Sequence, residues 1–267
     1  THGIYPGYNE IEAHGLKVTH CDIGFIGVKG GSAAYGIAAW HSDMLIQNND
    51  IHDCGRRGVS LNTYTSYTPG LTVSNVTIDG NHFHSGFHTT GPDISTLPGR
   101  GHTFTNVTIS NNLVDDTGRW AEGINEGCYA SSCTSNSIYV EANGNDYSDF
   151  RFVGNRIIGS TSRALLLVGI DGVRVYHNSV YASHPGARPY ALVLFNSSTG
   201  IDYRNNVVYG TLPYHGGVVD PNDARCVMDQ GSASFSLRNH NLYHQADSAQ
   251  VYTGSQYGVG GWDVFLY

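Results

Sequence analysis

Along most of the chain, apolar and polar residues recur in one short order: apolar, any, apolar, any, any, asparagine, any, apolar. It occurs at 44–51 (MLIQNNDI), 76–83 (VTIDGNHF) and 107–114 (VTISNNLV). It returns at 150–157 (FRFVGNRI), 173–180 (VRVYHNSV) and 201–208 (IDYRNNVV). Looser copies flank these at 16–23 (LKVTHCDI) and 235–242 (FSLRNHNL). The shared column reads Cys21, Asn49, Asn81, Asn112, Asn155, Asn178, Asn206 and His240, at intervals of 28, 32, 31, 43, 23, 28 and 34 residues. Alternating apolar residues predict short strands with one face buried, and helical spacing is absent. One such unit cannot bury its own apolar face, so the units must stack around a shared core. The pattern therefore predicts a parallel β-solenoid.

The asparagines fit a turn between strands. Asparagine tolerates left-handed backbone geometry, and its amide can bond both the turn and the identical amide one coil away. A further apolar run follows several of these turns, at 58–61 (GVSL), 164–168 (ALLLV) and 191–195 (ALVLF), and reads as the next strand of each coil. Counting from the asparagine, offsets zero and two point inward, so offsets one and three share the outer face. Offset three reads His52, His84, Asp115 in consecutive coils. Offset one reads Asp22, Asp50, His82, Leu113, and offset four adds Asp53, Ser85 and Asp116. Coils lie about 4.8 Å apart, which predicts a vertical row of His52, His84 and Asp115 with Asp50, Asp53, His82 and Asp116 beside it.

Composition narrows the function classes. The formal net charge is −8, only Lys17 and Lys29 are lysines, and no basic stripe is visible. A nucleic-acid partner is therefore not expected. No apolar run is long enough for a membrane span. Scarce lysine, few charges and abundant Gly, Asn, Ser, Thr and Tyr fit a secreted, extracellular or periplasmic protein. The chain opens THGIYPGYNE without an initiator Met, as a processed product would. Cys128 and Cys133 flank YASS and are close enough in sequence for a local disulfide; pairing of Cys21, Cys54 and Cys226 stays open.

The repeat, from Leu16 to Leu242, resembles the right-handed parallel β-helix superfamily, the pectate-lyase-like folds. The resemblance implies an all-β, single-domain solenoid over residues 1–267. It would have about eight coils, an asparagine ladder, a loop insertion at 117–149 and an N-terminal piece missing before the first coil. It also implies a choice among lyases, hydrolases, epimerases, tailspikes and adhesins. The chain departs from the lyase Arg-x-Pro-x-x-Arg pattern: ARPYAL around Arg188 has its proline directly after the arginine and no second arginine. It lacks the Gly-His-Gly and Arg-Ile-Lys motifs of polygalacturonases, and 35–41 (YGIAAWH) matches the epimerase motif Tyr-Gly-Phe-Asp-Pro-His only faintly.

The row admits three readings. Imidazoles beside carboxylates suit a divalent metal (Ca, Zn or Mn), with His52, His82, His84 and Asp115 as ligands; no metal is required. The same groups suit proton transfer near neutral pH. Stacked polar residues also simply solvate an exposed sheet face. The catalytic candidates are His84, Asp115, Asp116, Asp53, Arg119, Glu122 and Glu126. For hydrolysis, Asp53 and Asp116 would stand roughly 9.6 Å apart, near the inverting separation, with Glu122 and Glu126 as alternative partners. For β-elimination, Arg119 or Arg57 would serve as the cation and His84 as the base. Trp120, Arg57, Trp40, Tyr64 and Tyr129, with Tyr67 and Tyr139, are candidates for binding sugar rings. The reading is a secreted enzyme cleaving a polysaccharide or oligosaccharide in a groove on the outer sheet face, as a lyase or glycoside hydrolase. The alternatives are a non-catalytic adhesin, fibre or tailspike-like solenoid, and a polysaccharide epimerase.

Overall fold

The fold of the computed structural model is described for residues 2–6, 14–27, 34–61, 70–86, 89–117, 136–159, 163–182, 192–210, 227–245 and 252–253. Among them every regular element is a strand. The strands form three sheets, each adding every third strand of the chain. Sheet I runs in order from His2–Ile4 to Tyr252–Thr253, sheet II from Lys17–Thr19 to Phe235–Asn239, and sheet III from Asp22–Ile23 to Leu242–Gln245. All pairings are parallel. The molecule is an all-β parallel β-helix, with the three sheets as its walls.

The interior follows the alternation. Along sheet III, Ile51, Phe83, Val114 and Ile157 point inward and are at most 2 % exposed. Sheet II contributes the aromatic stack Phe104, Tyr147, Phe150 and Phe152, with ring centroids 4.9, 5.7 and 6.4 Å apart in turn. Phe104 meets its register partner Tyr147 one coil away, Tyr147, Phe150 and Phe152 share one strand, and the core is one continuous cluster.

The asparagine column is buried at the turn from sheet II to sheet III. The backbone N–H of each rung donates to the side-chain oxygen of the next: Asn49 to Asn81 at 3.0 Å, Asn81 to Asn112 at 2.9 Å, Asn112 to Asn155 at 3.1 Å. Each amide N–H also reaches that oxygen, and a second one reaches a main-chain carbonyl of the preceding coil, as Asn112 does to Ile78 at 2.9 Å. Buried amides are satisfied in full, which is what makes a polar column tolerable in a core.

Two expectations about this column change. The left-handed residue is the one before the rung: His20, Asn48, Gly80, Asn111, Gly154, His177, Asn205 and His240 all have φ between 52° and 66°. The asparagine itself enters the next strand. The last rung is Asn241, not His240: it accepts from Asn206 N–H at 2.9 Å. An irregularity between Ile201 and Asp202 and their partners Phe235 and Leu237 absorbs the extra residue. The expected loop at 117–149 is also too wide, since strands Asn136–Glu141 and Asp146–Val153 occupy its second half. Ile138 and Val140 face the core there, an alternation hidden between polar neighbours.

Candidate functional site

On the outer face of sheet III, parallel register puts like offsets above one another. Asp22 pairs Asp50, Asp50 pairs His82, and His82 pairs Leu113; His52 pairs His84, and His84 pairs Asp115. The row expected at offset three is therefore present. His82 and His84 flank the inward Phe83, so both imidazoles emerge on one side of strand His82–His84.

His52 anchors the row. Its Nδ1 lies 2.7 Å from Asp53 and its Nε2 2.8 Å from Asp22. Ionised carboxylates only accept, so the two contacts together favour the form of His52 with a proton on each ring nitrogen. Partial burial lowers its pKa, but the hydrogen bonds to Asp53 and Asp22 outweigh it and the pKa is raised. Gly24 lies beneath: a Cβ there would stand 2.2 Å from the His52 ring. Phe25 meets the ring edge-on at 5.3 Å. On the other side His84 stacks on it, centroids 4.9 Å apart and planes 7° from parallel.

Asp50 joins the two imidazoles above it. His84 Nε2–H donates to Asp50 Oδ1 at 3.1 Å, and Ser85 Oγ–H donates to His84 Nδ1 at 3.2 Å. The tautomer follows from the acceptor-only carboxylate. His82 Nδ1 lies 3.3 Å from the same Asp50 oxygen, and the two rings are 4.6 Å apart. The side chains of Asp50, His82 and His84 are 50, 42 and 29 % exposed, so solvent reaches all three. Asp50, His82 and His84 are the described group whose donor atoms converge, all within 4.8 Å.

That convergence corrects the expected ligand set of His52, His82, His84 and Asp115. His52 has both ring nitrogens engaged, by Asp53 and by Asp22. Asp115 turns Oδ1 to its own turn, accepting Thr117 N–H at 2.9 Å and Thr117 Oγ–H at 2.6 Å. Asp50 takes the carboxylate place, through its position one coil below His82.

Four other candidates lie elsewhere. Asp116 is 1 % exposed and points inward, accepting the hydroxyls of Thr90 and of Ser137, the latter at 2.5 Å. At offset four the strand has ended and alternation no longer governs. Asp53 and Ser85 turn outward with φ of 47° and 54°, and Asp116 does not take that left-handed turn. The hydrolytic pair Asp53–Asp116 is thereby lost. Arg57 is buried on sheet I, 2.5 Å from Asp93 and 5.4 Å from the Tyr35 ring. Burial pushes the Asp93 carboxyl up and Arg57 opposes it; this pair is part of the wall, not a cation for substrate. Trp40 is 8 % exposed and packs on Tyr5 at 6.1 Å, inside the core. Tyr139 donates to Glu141 on sheet I. Arg119, Trp120, Glu122, Glu126, Tyr129, Tyr64, Tyr67 and Arg188 fall outside the described residues, as do Cys128, Cys133 and Cys226. Cys21 and Cys54 are free thiols, and burial drives that of Cys54 up to about 12.

Asp22 and Asp50 were visible at offset one yet were not among the site candidates, because a strand-edge aspartate beside a turn is an ordinary surface residue. Asp93 had no sequence signal: it sits in TTGPDIS, where proline and glycine obscure the alternation.

The model of the right handed beta helix region matches residues 3–211. The chain belongs to the right-handed β-helix family. No curated protein and no solved structure is significantly similar to it. For a β-helix protein the handedness agrees with the rule for parallel crossovers. Among the described residues no helix is long and apolar enough to cross a membrane.

Proposed function

We propose that this β-helix protein is a carbohydrate-active enzyme, secreted to the cell exterior or periplasm, that cleaves a polysaccharide lying along the outer face of sheet III. The observation that carries the reading is the coupled row itself. His52 is clamped by Asp22 and Asp53 and stacked on His84, while Asp50 ties His84 to His82. A solvated wall needs no such convergence; proton transfer at a sugar carbon or glycosidic oxygen does. The coil rise places successive groups about 4.8 Å apart, close to the length of a sugar ring, so an extended chain can meet several of them at once.

Inward burial of Asp116 removes the pair Asp53–Asp116 for hydrolysis, and burial of Arg57 against Asp93 removes one of the two cations for elimination, so the proposal covers both kinds of cleavage. The test is product analysis on a panel of neutral and acidic polysaccharides, with ultraviolet absorbance reporting unsaturated ends. Turnover that falls by about a hundredfold or more in H84A and H82A supports the reading. Saturable binding with no product identifies a non-catalytic solenoid instead, and a product of unchanged length with inverted sugar stereochemistry identifies an epimerase.

A further inference from the structure

The geometry of Asp50, His82 and His84 goes one step further than a proton-transfer patch. We infer that these three side chains bind a first-row divalent metal of the zinc type on the outer face of sheet III. Metal binding itself does not depend on the carbohydrate reading; only the use of the metal for a sugar does.

The donor spacing is the first argument. Ligand atoms around a tetrahedral zinc at 2.0–2.1 Å stand about 3.3 Å from one another. Asp50 Oδ1 lies 3.3 Å from His82 Nδ1 and 3.1 Å from His84 Nε2. All three donors fall within 4.8 Å, and the His82 side chain, which would close the histidine–histidine edge, is 42 % exposed. Strand geometry supplies this arrangement: a His-x-His pair on one strand face, and a carboxylate directly below on the preceding coil.

Orientation is the second argument. Metal-bound histidines use their other ring nitrogen to hold the ring in place. His84 would ligate through Nε2, and its Nδ1 already faces Ser85 Oγ at 3.2 Å. A hydroxyl both donates and accepts, so Ser85 can take the Nδ1 proton that metal binding relocates. The His52 ring, held between two carboxylates, stacks on His84 at 4.9 Å. Charge is the third. Asp22, Asp50, Asp53 and Asp115 surround the row, so a divalent ion meets an attractive field.

Two imidazoles and one carboxylate select among metals. Calcium takes 6–8 oxygen ligands and is disfavoured here; zinc, cobalt, nickel or manganese suit the donor set. Three protein ligands leave a coordination position toward solvent, as in catalytic rather than structural sites. If the proposed function holds, an acidic sugar's carboxylate is the ligand that would take this position, and the metal would supply positive charge to face it.

The test uses the full chain without a histidine tag, stripped by chelator. It is titrated with Zn²⁺ alone by calorimetry, and with Co²⁺ followed by visible absorption. Saturable binding of a single equivalent, with a Co²⁺ band typical of low coordination, is expected. H82A and H84A should each weaken it roughly tenfold or more, and D50N, which keeps the side-chain shape, should weaken it as well. H14A, at the separate His14–Asp43 pair, should not. Melting curves without metal show that each variant is folded. No saturable binding, or binding unchanged in H82A, H84A and D50N, overturns the inference. A chain that binds Zn²⁺ and cleaves nothing upholds the metal site and removes the proposed function; a chain that cleaves and binds no metal does the reverse.

Discussion

At the scale of single residues, the same side-chain type takes opposite roles according to its partners. His52, between Asp22 and Asp53, is held charged; His102 is fully buried, accepts Leu71 N–H through Nδ1 at 3.2 Å and is held neutral. Burial lowers the pKa of His102, and of His41 likewise. The two directions have opposite linkage to stability. A raised pKa stabilises below the ordinary value of 6.5 and loses that contribution as pH rises through the folded value; this is His52. A lowered pKa stabilises above 6.5 and loses its contribution as pH falls; this is His102. Nuclear magnetic resonance of the ring protons, in metal-free protein, should show His52 titrating above 6.5 and His102 below it. D22N and D53N should each draw the His52 midpoint downward. A His52 midpoint unmoved by either change would show that the two carboxylates do not hold it.

At the scale of elements, the turn from sheet II to sheet III is the repeating joint. Each rung of the column is both donor and acceptor, so one deletion strands several groups. Without the Asn112 amide, Asn81 N–H, the Asn81 amide, Ile78 C=O and Asn155 Oδ1 all lose a partner. N112A should cost about 3 kcal/mol or more in chemical denaturation. The last coil separates the two candidate rungs. N241A should lower stability by about 1–3 kcal/mol, whereas H240N, which suits φ of 52°, should leave it nearly unchanged. A loss at His240 instead would restore the register read from sequence alone. Gly24 belongs to the same scale: its missing Cβ makes the seat for the His52 ring one coil above.

At the scale of the whole molecule, stability is a chain of neighbour contacts between coils. Amide exchange should therefore be slowest at Asn81, Asn112 and Asn155, flanked by rungs on both sides, and faster at Cys21, whose column begins there. Uniform protection along the column would contradict a nearest-neighbour solenoid. By itself the sequence determined the coil, because a buried wall demands apolar residues at every second position and a satisfied amide at every turn. Those demands repeat, so VTIDGN and VTISNN announce them. It also determined which residues share the outer face at offsets one and three, since alternation is local. Only the tertiary structure decided which of them converge. Asp50 joins His82 and His84 because coils stack in register, Asp115 is drawn off by Thr117, and Asp116 turns inward once its strand has ended. Arg57 is taken by Asp93 of the next coil. Partners like these lie about thirty residues apart in sequence and a few ångströms apart in space, and no local pattern records which pair will form.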